Sequence, residues 1–173
     1  METEGLKSGR RGTVVVLGLG SMGCRRIRLM LAMENPPEIV GVNRSAERRA
    51  AVEKEFGIRT FATLAEAVTA AQPQAAFLCT APASHGPAVM ECIEAGLDVF
   101  MEINLIGDWY GEAMAKAREK GVKLFISSTL VYRREMRYIA DVVRGGPVNY
   151  LYHCGQYLPD WHPWATKIGQ TNV

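Results

Sequence analysis

The sequence predicts an α/β fold, a doubly wound parallel sheet with helices on both faces. Three observations carry that prediction. Short apolar, β-branched runs alternate along the chain with helical segments, the pattern that builds βαβ units. The connections are short and punctuated by glycine, proline or a capping residue. The first run, Val14 to Leu17, enters Gly18-Leu-Gly20-Ser-Met-Gly23, after which Cys24-Arg-Arg-Ile-Arg-Leu-Met-Leu reads as a helix.

That strand–glycine turn–helix order is the context in which G-x-G-x-x-G signals dinucleotide binding. Gly18 permits the tight turn, Gly20 lets the backbone approach a pyrophosphate, and Gly23 lets the helix pack close to the strand. The free N–H groups of the helix's first turn, with its dipole, would hold the anion. Ser21 and Met22, within the glycine turn, are candidate cofactor-binding residues beside Gly18, Gly20 and Gly23. A plain structural turn is the competing interpretation of the same glycines.

The elements follow in order. Asn35-Pro36-Pro37 stops the first helix, because proline cannot continue the hydrogen-bond ladder. Glu38 to Asn43 is a second strand, Ser45 caps a helix through Phe56, and Gly57 ends it. Arg59 to Ala62 is a brief third strand. Thr63-x-x-Glu66 is a capping box opening a helix from Leu64 to Ala71. Gln74 to Cys79 reads as a buried fourth strand, Thr80 to His85 as the loop at its carboxyl end, and the next helix runs to Ala95 with a stop at Gly96. Asp98 to Met101 is a fifth strand, Gly107 to Lys120 a helix ended by Gly121, Val122 to Ile126 a sixth strand, and Tyr132 to Arg144 a last helix.

Gly145-Gly146-Pro147 marks a boundary, giving a domain over 1–146 and a segment over 147–173. Tyr150, Tyr152, Tyr157, Trp161 and Trp164 crowd that segment, and Asn149 to Tyr157 alternates as a strand would. So aromatic a stretch needs a covering surface. The expectation is that it packs on its own domain, pairs with another copy or a partner chain through residues 147–164, or is the stub of a truncated substrate or oligomerisation domain over 147–173.

Bulk properties exclude several classes. The 173 residues allow one domain with a real core. A net charge of +2, without a long basic run, gives no footprint for nucleic acid, and Arg25, Arg26 and Arg28 read as a solvated helix face. The four cysteines show no C-x-x-C pair and no zinc spacing, so no metal site is expected. Unpaired cysteines, a polar N-terminus without a signal-peptide core and the lack of any membrane-length apolar run suggest a soluble, cytoplasmic protein.

The end of the second strand selects the cofactor. An acid about 20 residues beyond the glycines would bind the adenosine ribose and repel a 2′-phosphate. Here Asn43, Arg44 and Ser45 offer no carboxylate, one cation and one hydroxyl. A guanidinium binds phosphate through paired hydrogen bonds, so the pattern favours NADP over NAD. In the alternative, Asn43 serves the ribose and Arg44 is a surface residue. The missing acid also argues against an S-adenosylmethionine site, the other common use of such a turn.

With these motifs in place, the chain resembles the N-terminal domain of the Gfo/Idh/MocA oxidoreductases. The resemblance is carried by Gly18 to Gly23, by Cys79-Thr-Ala-Pro-Ala-Ser-His85 and by Ala95-Gly-Leu-Asp-Val-Phe-Met-Glu-Ile-Asn-Leu105. Gly155 to Trp164 looks like the start of the second domain in sugar-modifying members. The resemblance implies a Rossmann domain, with only the first strand of a second domain, and hydride transfer between a nicotinamide and a secondary alcohol of a sugar or polyol. It also implies that Thr80, Pro82, His85 and Glu102 lie at the cofactor edge. For His85 a helix-capping role, and for Glu102 an ion pair, are the alternatives.

The departures bear on catalysis. Where the family has Glu-Lys-Pro this chain reads Glu102-Ile103-Asn104, and isoleucine has no proton to offer. The Asn and Arg often found after the sixth strand appear as Thr129 and Val131. His162 resembles a sugar-site residue but stands without the rest of that site, and His153 reads as structural. No catalytic residue is therefore assigned. A second function stays open beside the oxidoreductase one: a non-catalytic, nucleotide-binding or self-associating Rossmann fragment.

Overall fold

The computed structural model describes residues 12–102, 106–128, 132–149, 151 and 153. The chain divides into two compact units, Met1–Leu130 and Val131–Val173. The first contains β1 (Thr13–Leu17), α1 (Ser21–Leu31), β2 (Glu38–Val42), α2 (Ala46–Phe56), β3 (Arg59–Phe61), α3 (Leu64–Ala71), β4 (Ala75–Leu78), α4 (His85–Glu94), β5 (Asp98–Glu102), α5 (Tyr110–Lys120) and β6 (Leu124–Ser127). The second contains α6 (Arg134–Arg144), whose Met136, Ile139 and Val143 recur at helical spacing. The expected strand from Asn149 to Tyr157 and the aromatic residues 150, 152, 157, 161 and 164 lie outside the described residues, apart from isolated positions.

The six strands are all parallel, in the order β3-β2-β1-β4-β5-β6. The strand order reverses between β1 and β4, which makes a switch point there, the place where an open α/β sheet leaves a crevice at its carboxyl edge.

Alternation along the strands builds two cores, one on each face. Val15 and Leu17 of β1, Val40 and Val42 of β2, Ala76 and Leu78 of β4, and Val99 and Met101 of β5 point to one side. Leu64 and Ala67 of α3, Val89, Cys92 and Ile93 of α4, and Ala113 and Ala117 of α5 close that side. Val16 and Ile39 point the other way, under Ile27 and Met30 of α1 and Val52 of α2. Small side chains set the spacing where α4 meets α5: a Cβ on Gly86 would fall 2.6 Å from Trp109 Cδ1.

On the α1 face, beyond the smaller core, Phe77, Phe100 and Phe125 stack in register across β4, β5 and β6. Their ring centroids are 4.7 and 5.3 Å apart. The Arg26 guanidinium lies 5.4 Å over the Phe100 ring and pairs with Glu102. Arg28 pairs with Glu55. Arg25 and Arg28 are exposed, as their clustering suggests, but Arg26 is not part of a solvated face. Arg26 is drawn onto the sheet because an aromatic face and a carboxylate both await it.

Caps and stops fall where turn chemistry puts them. Ser45 Oγ accepts from Arg48 N at 3.2 Å, and Gly57 takes the left-handed conformation after α2. Thr63 Oγ1 accepts from Glu66 N at 3.2 Å, while Glu66 accepts in return from Ala62 N at 3.0 Å. Three helix starts differ from expectation, α6 among them, which begins at Arg134 rather than Tyr132. Helix α1 begins at Ser21, so Gly23 lies inside its first turn, because Gly20 already serves as the N-cap. Helix α5 begins at Tyr110 rather than Gly107, after Trp109 as its N-cap.

Ile93, fully buried in the larger core, gives a direct test of this packing. The variant Ile93→Ala should lose about 2–5 kcal/mol of stability in urea denaturation, with little change in slope.

Candidate functional site

The switch-point crevice is a cleft of about 580 Å³. Leu17, Val42 and Cys79 mark its floor, at the carboxyl ends of β1, β2 and β4. The glycine turn, the β2–α2 connection, the corner between β3 and α3, and the outer side of α4 form its walls.

The three glycines do different work. Gly18 has φ of +91°, and a Cβ there would fall 2.5 Å from the Cys79 carbonyl oxygen. A Cβ on Gly23 would be driven into the Gly18 carbonyl oxygen. These two are demanded by the protein's own backbone. Gly20 is not: its φ is −81°, and a Cβ would meet only Arg48 Nη1, at 3.6 Å. The turn is further held by Gly18 N donating to Val42 O at 3.0 Å and by Leu19, which is buried against Gly41. Among the described residues only the Arg48 guanidinium comes near the space beside Gly20, so its backbone stays open to the cleft.

At the end of β2, Asn43 and Ser45 are occupied in shaping the chain. Asn43 Oδ1 accepts from Ser45 N at 2.9 Å, and the Ser45 hydroxyl caps α2. Arg49 donates to the carbonyls of Asn43 and Arg44, at 2.8 and 3.1 Å, and fixes the turn. Arg44 and Arg48 line the cleft, both exposed, and neither has a carboxylate partner among the described residues. Reading the strand end alone finds Arg44 and misses Arg48. The capping serine puts Arg48 in the first turn of α2, facing the same opening.

The β4 edge is shaped by His85. Its ring is buried, with Nδ1 3.2 Å from Ala81 O and 3.4 Å from Thr80 Oγ1. A carbonyl can only accept, so Nδ1 carries the proton and the imidazole is a brace for this loop. Thr80 lines the cleft; His85 does not. Of the other candidates, Gly18, Gly20, Asn43 and Arg44 line it, while Ser21, Met22, Gly23, Ser45, Pro82 and Glu102 do not. Glu102 is the partner of Arg26. Residues 103, 104, 129, 131 and 162 lie outside the described residues.

Burial favours the protonated thiol at each of the described cysteines. Burial pushes both the Cys79 and the Cys92 thiol up to about 12, with Arg26 opposing the effect at Cys79. Burial also raises Cys24, whose Sγ lies 3.7 Å from Leu19 O. Thiols held protonated in this way offer no nucleophile at neutral pH.

Comparison with known proteins bears on the fold and the family. The model of the Gfo/Idh/MocA oxidoreductase family, NAD-binding Rossmann fold, matches residues 13–127. A 4-carboxy-2-hydroxymuconate-6-semialdehyde dehydrogenase from a Sphingobium species is 26% identical over 136 residues, covering 77% of this chain and 43% of the relative. GenD2 from gentamicin A biosynthesis, solved with NAD, superposes with a TM-score of 0.70 at 25% identity, over 82% of this chain and 41% of that one. The WlbA dehydrogenase from Bordetella pertussis, solved with NADH and UDP-GlcNAcA, superposes with a TM-score of 0.74 at 19% identity, over 83% and 44%. Neighbours solved with NAD and with NADP both occur. The chain spans less than half the length of these relatives. Among the described residues no helix is long and apolar enough to cross a membrane.

Two outcomes follow from the site geometry. Gly20→Ala should shift stability by no more than about 1 kcal/mol, whereas Gly18→Ala and Gly23→Ala should each lose more than about 2 kcal/mol in chemical denaturation. The thiols make a pH prediction. From an ordinary value near 9.0 up to about 12, the folded chain keeps Cys92 protonated while the unfolded chain releases the proton, so stability falls as pH rises through that window. Urea midpoints measured at pH about 8 and about 10.5 should show the fall, and Cys92→Ala should reduce its slope.

Proposed function

We propose that this chain, which belongs to the Gfo/Idh/MocA oxidoreductase family with its NAD-binding Rossmann fold, binds NADP(H) in the switch-point cleft. It would thereby provide the dinucleotide half of a hydride-transfer enzyme acting on a secondary alcohol of a sugar or polyol. The observation that carries the proposal is the opening at Gly20. A Cβ position that the protein leaves empty stands beside the Arg48 guanidinium, with Arg44 on the same rim.

The residues present fit such a cofactor. Gly20 and the first turn of α1 would hold the pyrophosphate, through exposed backbone and the helix's N-terminal dipole. Arg44 and Arg48 would take the 2′-phosphate, because no carboxylate engages either one among the described residues. Asn43, whose Oδ1 already accepts from Ser45 N, keeps its amide donor for a ribose hydroxyl. Thr80, on the loop braced by His85, would border the cofactor on the β4 side. When bound, the nicotinamide supplies the hydride chemistry. The substrate class is inferred from the family and from the sugar nucleotide bound by the WlbA neighbour.

One sequence feature supports a second function, that of a cofactor-binding module without catalysis. Glu102-Ile103-Asn104 replaces the family's Glu-Lys-Pro, and an alkyl side chain cannot relay the alcohol proton.

Calorimetric titration of the chain with NADPH, NADP, NADH and NAD tests the proposal. Micromolar binding, tighter for the phosphorylated pair, is expected, and Arg48→Ala should weaken NADPH by about tenfold with a smaller effect on NADH. Binding of none of the four would overturn the dinucleotide assignment. Tighter NADH than NADPH would overturn the phosphate assignment alone. Hydride transfer with a panel of sugar nucleotides and polyols then separates the enzyme from the binding module.

A further inference from the structure

Glu91 stands on the outer side of α4 and lines the same cleft. It is exposed, and its carboxylate has neither an ion pair nor a hydrogen bond among the described residues. Its neighbour one turn on, Glu94, is instead held by Lys116 and Lys120. No local signal in the sequence distinguishes the two glutamates. What separates them is that one faces the crevice and the other faces α5.

The cleft is therefore electrically two-sided. Arg44 and Arg48 belong to the β2–α2 side, and Glu91 to α4, in the opposite helix layer. Other parts of the wall are apolar: Ala62, Leu64, Pro87 and Ala88. A ligand matching this pattern carries anionic charge at one end, a flat body that tolerates apolar contact, and a hydrogen-bond donor at its far edge.

We infer that Glu91 reads the base of the dinucleotide, its carboxylate accepting a hydrogen bond from the exocyclic amino group of adenine. The inference rests on the dinucleotide assignment above. An ionised carboxylate only accepts, so it rewards an amino group and repels a carbonyl oxygen at the same edge. The same charge keeps phosphates away from α4 and orients the ligand with its anions on the arginine rim. Glu91 is thus a specificity residue, distinct from the groups that hold the phosphates.

The test compares each reduced adenine dinucleotide with its hypoxanthine counterpart, in which the amino group is replaced by oxygen. Calorimetry on the intact chain should show adenine preferred by about tenfold or more, as befits a hydrogen bond to a charged group. Glu91→Gln, whose amide can both donate and accept, should narrow that preference to about twofold while leaving the thermal midpoint unchanged. Equal binding of the two bases by the native chain would overturn this inference while leaving the dinucleotide assignment intact. A preference that survives Glu91→Gln would also overturn it. Failure of both dinucleotides to bind would overturn the underlying assignment, and this inference with it.

Discussion

The structure depends on two contacts in which a side chain is forbidden. The glycine turn passes so near β4 that Gly18 leaves no room for a Cβ beside the Cys79 carbonyl, and α1 lies so near the turn that Gly23 has none either. Together they draw β1, β4 and the first turn of α1 to one point, at the place where the strand order reverses. Leu19 secures the arrangement from within: it is buried in the smaller core and rests on Gly41 of β2, where a Cβ would fall 2.9 Å from its methyl. Steric demand of this kind leaves the protein few ways to relax. The crevice is a consequence of the packing and precedes any ligand.

Charge is distributed around that crevice by the availability of partners. Arg26, Arg28 and Arg59 engage Glu102, Glu55 and Glu38. The exposed pairs contribute little to stability. They do remove those cations from competition for an anionic ligand. Arg44 and Arg48 keep their charge for the opening. The polar side chains beside them have local duties, since Asn43 Oδ1 and Ser45 Oγ are engaged in starting α2, while the Asn43 amide group has no such engagement among the described residues.

The β4 edge repeats this division. His85 stands at the carboxyl edge of β4, yet its ring is buried and braces Ala81 and Thr80. Its effect on a ligand passes through the loop that it holds. On the other face of the sheet, the Phe77, Phe100 and Phe125 stack with Arg26 above it accounts for Glu102, which pairs with that arginine.

By itself the sequence determined the architecture: alternation of apolar strands with capped helices, the glycine turn after β1, and stops at Gly57, Gly96 and Gly121 are all local properties of the chain. So was the departure at Ile103, because the loss of an ionisable group needs no coordinates. Tertiary structure decided which side chains face the cleft. Arg48 and Glu91 enter it, Glu94 is diverted to two lysines, and Glu102 is captured by Arg26, although none of these differs from its neighbours in local pattern. Backbone preference and periodicity act over a few residues and are written in the sequence. The availability of a charge or a hydrogen-bonding group depends on partners brought together from distant segments, and only the folded chain settles it.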